Sequence, residues 1–112
     1  MSQYLVTAEY VEPGPLLPPQ QVIPMVENAI LPSFEAMEKL LQDRIILAGG
    51  LISGARAGAF VMEAASNAEV SRILMQLPMW GIVTWKVTPL ESFRERLTEE
   101  RQAVERLKKM MK

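Results

Sequence analysis

The 112-residue chain contains no cysteine and no histidine. The first absence excludes disulfides, thiol nucleophiles and thiolate metal sites. The second removes the usual general base near neutral pH and the commonest metal ligand, and it leaves a haem iron without an axial imidazole. Charge is nearly balanced, at −1, so nothing draws the chain as a whole to nucleic acid or to an anionic membrane surface. No apolar run approaches the ~20 residues of a membrane span. The opening MSQYLVTAEY has no basic segment ahead of an apolar one, so no signal peptide is expected. These absences predict a soluble, cytoplasmic protein with no cofactor, no bound metal and no nucleic-acid or membrane partner.

What is present fits one domain: 49% hydrophobic and 22% charged residues, with too little chain for two independent cores. Residues 3–10 alternate and predict a strand, with Leu5, Thr7 and Glu9 on one face and Tyr4, Val6 and Ala8 on the other. The proline-rich stretch 11–19 predicts a loop, read either as a stiff connector or as a binding loop. From Gln20 to about Asp43, Val22, Val26, Ala29, Ile30, Met37, Leu40 and Leu41 follow helical spacing. Pro32 should kink or split that helix near 29–31. Two strands are expected at about 45–53 and 57–64, joined by a turn at SGARAG, with Gly49 and Gly50 marking a bulge or a close backbone approach. Neither glycine group has the pattern of a phosphate-binding loop.

Ser66 and Glu69 have the spacing of a capping box that opens a short helix over 66–77. The next strand is expected at 80–88, with Val83, Trp85 and Val87 toward the helices and Ile82, Thr84, Lys86 and Thr88 on the other face. Trp85 reads as core; Trp80 either closes the end of the core or faces a cavity. Thr88, Pro89 and Glu91 suggest a cap, first residue and capping box of a C-terminal helix. Its narrow stripe of Phe93, Leu97, Val104, Leu107 and Met111 suits a helix lying on the surface or against another subunit. The order β-α-β-β-α-β predicts an α+β, ferredoxin-like antiparallel sheet with helices on one face. That half spans 1–90, and 91–112 is an assembly extension of the same domain. The uncovered face mixes apolar and polar residues, so a second copy is expected to pack sheet to sheet, as a homodimer or higher oligomer. The enclosed space would hold a small-molecule ligand.

The stretch LPMWGIVTWKVTPL resembles the end of the muconolactone delta-isomerase family. The matching residues are Ile73, Leu74, Leu77, Pro78, Trp80, Val87, Thr88 and Leu90, and YLV at 4–6 and the segment 64–70 also fit. The resemblance implies a dimeric α/β barrel and a cofactor-independent isomerase acting on a lactone or another oxidised aromatic breakdown product. The strand that carries carboxylates in the isomerases has Thr84 and Lys86 here. This exchange, with the missing histidine and the long C-terminal helix, keeps open a second reading, a non-catalytic ligand-binding or assembly module.

Candidate chemistry falls on Glu9 and Lys86. They are read either as a proton-shuttling carboxylate with its lysine or as a cross-strand ion pair worth on the order of 0–1 kcal/mol. Arg56 and Arg44 are candidates for holding a carboxylate ligand. Thr7, Thr84, Trp80 and Glu63 complete the expected substrate-binding set.

Overall fold

The structure, a computed structural model, describes residues 1–10 and 18–111. Most of the expected proline-rich loop, residues 11–17, lies outside the described residues. The α+β sandwich of the sequence reading is present. Strand β1 (Ser2–Tyr10) pairs with β3 (Ala57–Ala64) on one side and β4 (Val83–Leu90) on the other, and β2 (Ile46–Leu51) adds outside β3. All pairs are antiparallel and the order is β2-β3-β1-β4. Alternation sorts the side chains. Tyr4, Val6, Phe60, Met62 and Ala64 point inward, where Val70 and Leu74 of helix α3 (Asn67–Met75) and Leu77 and Met79 complete the core. Leu5, Thr7, Val61, Ala59 and Lys86 take the opposite face, where no described residue is buried. The expected Gly49 irregularity is also there. The β2–β3 register shifts between Ile46 and Ala48, and Gly49 adopts φ +136°, where a Cβ would collide with the Ala59 carbonyl and Phe60.

The first helical region starts at Pro19 and changes character twice. Helix α1 (Pro19–Met25) runs into a wider π-helical turn, Val26–Ile30, and then into α2 (Leu31–Gln42). Pro32 has no N–H to donate, and its ring crowds the carbonyl four residues back. The expected break is therefore absorbed by one widened turn, with no gap in the helix. Ser33, 0% exposed, secures it: its hydroxyl donates to the Ala29 carbonyl at 2.7 Å and accepts the Met79 N–H at 2.9 Å. Helix α2 ends in a Schellman pattern, with Arg44 left-handed at φ 60° and the Ile45 N–H reaching the Leu40 carbonyl at 2.9 Å.

Three expectations for residues 80–92 are corrected. Trp80–Ile82 form a 3-10 turn, and β4 begins only at Val83. Ile82 thus packs against the core and not on the uncovered face. At the other end, pairing of Gln3 with Leu90 extends the ladder past Thr88. Pro89 is tolerated there because β4 is an edge strand. The C-terminal helix α4 (Phe93–Met110) is capped by Ser92, whose hydroxyl accepts the Glu95 N–H at 3.1 Å. The N-cap is therefore Ser92, with Glu95 three residues on, and not Thr88 with Glu91.

Candidate functional site

Where β1 ends, the inward face of the sheet carries almost no side chain. Ala8 lies directly opposite Gly58, so two adjacent strands present a methyl group and a hydrogen to the helices. Above this floor α1 brings Met25, the π-helical turn Val26 and Ile30, and α2 Phe34 and Met37. The result is a cavity of about 350 Å³, closed laterally by Phe60, Met79 and Val83. Among its described lining residues only Tyr10 and Arg56 carry polar side chains. They stand together at its edge, where an open depression is bordered by Tyr10, Gly54, Ala55 and Arg56. The Tyr10 N–H donates to the Arg56 carbonyl at 2.9 Å, the guanidinium lies 5.5 Å from the centre of the Tyr10 ring, and the Tyr10 hydroxyl lies 3.7 Å from Met25 Sδ. An apolar cavity with a few polar groups at one end is the usual form of a small-molecule site.

The residues singled out from sequence divide into groups. Thr7 stands opposite Lys86, and Glu9 opposite Thr84, so these four do cluster on the uncovered face. Glu9 and Lys86 are diagonal neighbours, both exposed, and no ion pair joins them. Arg56 sits at the same end of the sheet, at the edge of the cavity. Arg44 terminates α2 at the other end of β2, about 17 Å of strand away. Glu63 lies opposite Gln3, also toward that far end. Trp80 stacks on Trp85, with ring centres 5.8 Å apart and planes at 20°, and the Trp85 indole N–H donates to the Trp80 carbonyl at 3.1 Å. The two tryptophans thus brace the turn into β4, and neither is among the described residues that line the cavity. Tyr10 is the residue that sequence reasoning passed over. Period-two alternation puts it on the helix side with Tyr4, Val6 and Ala8, as a packing residue, and the available signal is its position at a strand end, beside a hairpin that carries an arginine. Among the described residues no group of acidic side chains could hold a metal ion, and no helix is long and apolar enough to cross a membrane.

No curated protein sequence matches the chain. Among solved structures, a muconolactone isomerase superposes with a TM-score of 0.63 at 19% identity, covering 80% of this chain and 88% of that one. A 5-chloro-2-hydroxyhydroquinone dehydrochlorinase from Burkholderia phenoliruptrix AC1100, solved with 2,5-dihydroxybenzoquinone, superposes with a TM-score of 0.57 at 18% identity, covering 83% and 97%. At that identity the two show a shared fold. The sequence pattern of muconolactone delta-isomerase matches residues 33–96, from the buried Ser33 of α2 through the start of α4. With more than half of its length matched in this way, the chain belongs to the muconolactone delta-isomerase family.

Proposed function

We propose that the chain binds a small oxidised ring compound, of the lactone or quinone kind, in the cavity between the sheet and the α1–α2 region, and moves a proton on it without a cofactor. The observation that carries this reading is the cavity of about 350 Å³ with Tyr10 and Arg56 at one end, a volume that suits a single substituted ring. Isomerisation needs no atoms gained or lost: one group takes a proton from carbon and returns it elsewhere. Tyr10 would be that group: its phenolate oxygen takes the proton from one carbon, becoming the hydroxyl, and returns it at another, while the Arg56 guanidinium stabilises the enolate charge that develops in between. The two solved neighbours are named for reactions on a lactone and a hydroquinone, which supports the substrate class. A second copy covering the mixed face of the sheet would complete the assembly.

A second reading places the chemistry on that covered face, with Glu9 as base and Lys86 as its cation. The clustering of Glu9, Thr84, Thr7 and Lys86 favours it. An absorbance assay of muconolactone isomerisation separates the two. In the cavity reading Tyr10→Phe lowers kcat by roughly 100-fold or more, while Glu9→Gln and Lys86→Met stay within a few-fold of the parent. The reverse pattern moves the site to the open face. Tight binding with no turnover at high enzyme concentration identifies a ligand-binding module instead.

A further inference from the structure

Among the described residues, nothing covers the C-terminal helix along its length. None of the 18 residues of α4 is buried, Phe93 is 97% exposed, and Leu97, Val104, Leu107, Met110 and Met111 are all exposed. A lone helix of this length gains little from propensity and is held by what it packs against. The stripe is ordered. Phe93, Leu97, Glu100, Val104, Leu107 and Met111 are spaced alternately by four and three residues, the heptad seam of a two-helix coiled coil. Glu100, the polar member, is engaged by Arg96 at 2.7 Å. Most of this helix lies beyond residue 96, where the family match ends.

Charge selects the occupant. Residues 91–100 carry four carboxylates against two guanidinium groups, a net of −2. Residues 101–111 carry four cations against the single carboxylate of Glu105, a net of +3. The acidic half is crowded. A hydrogen bond with Glu99, followed by burial and the Glu99 charge, holds the Glu91 carboxyl above its ordinary value of 4.5, despite Arg96 at 3.8 Å. Acids first and bases last also suit the helix dipole, but the dipole does not account for the exposed apolar stripe. A parallel pair would set basic half against basic half. An antiparallel pair sets each acidic half against the other's basic half.

We propose that α4 is an assembly element that pairs antiparallel with α4 of a second copy of this chain, Leu97 against Leu107 and Phe93 against Met111, in a contact separate from the sheet face. Light scattering of the full chain tests it. Leu97→Glu with Leu107→Glu should cut the particle mass at least in half, and Leu97→Met with Leu107→Met should leave it unchanged. An unaltered mass in the glutamate variant, with circular dichroism showing the sheet intact, overturns the proposal. The absence of native cysteine supplies a second, independent readout. Chains carrying Leu97→Cys are mixed with chains carrying Leu107→Cys and oxidised. Antiparallel pairing predicts the mixed 97–107 disulfide as the main product; predominant 97–97 and 107–107 products, or none, overturn it.

Discussion

Ser33 shows how a single hydroxyl joins distant parts of this chain. It satisfies the Ala29 carbonyl of the π-helical turn and, 46 residues further along the chain than Ser33 itself, the N–H of Met79. Ser33→Ala would leave the buried Met79 N–H unpaired, and we expect a loss of about 1–3 kcal/mol in chemical denaturation. A loss below ~0.5 kcal/mol would mean that this N–H finds another partner. Nothing near Ser33 in the sequence announces this role, because its partner is remote. Gly49 differs: a glycine pair inside an apolar strand does signal a bulge, and the collision awaiting a Cβ explains it. Gly49→Ala should destabilise by at least about 1 kcal/mol. Gly50→Ala, whose Cβ would meet open space, should stay within ~0.5 kcal/mol. Equal effects at the two positions would contradict the register described for β2.

At the scale of elements, strands were legible wherever one face is buried, because period-two alternation is then enforced by the core. Helix boundaries were less so. Thr88-Pro89-x-Glu91 has every local mark of a helix start, yet β1 offers Leu90 a pairing partner in Gln3 and the strand continues. The true cap, Ser92, lies one turn later. Ser92→Ala should therefore cost α4 about 1 kcal/mol of helix stability, read as lost helicity by circular dichroism. Thr88→Ala should leave helicity unchanged. The opposite outcome would restore the earlier helix start. Pro32 was readable as a break, but the form of the break was not. The form of a π-helical turn depends on contacts remote in sequence, here the Ser33 hydroxyl that ties the Ala29 carbonyl of the turn to the Met79 N–H.

For the whole molecule, the layering and the uncovered face follow from which residues alternate, so the family resemblance and the fold agree. The cavity did not follow, since it arises from a coincidence between elements. Ala8 and Gly58 become neighbours only through the β1–β3 register, and the roof over them is shaped by the π-helical turn. The candidate residues legible in the sequence, Glu9 and Lys86, lie on the mixed face of the sheet, and the cavity lies on the other side. Methionines mark the difference. Met25, Met37 and Met79 line the cavity, whereas Met75, Met110 and Met111 are exposed elsewhere. The most direct measurement is an NMR titration of methyl-labelled methionines with muconolactone. If the cavity holds the ligand, the Met25, Met37 and Met79 signals shift together and saturably while Met75, Met110 and Met111 stay in place. No movement of those three signals at millimolar ligand would contradict it.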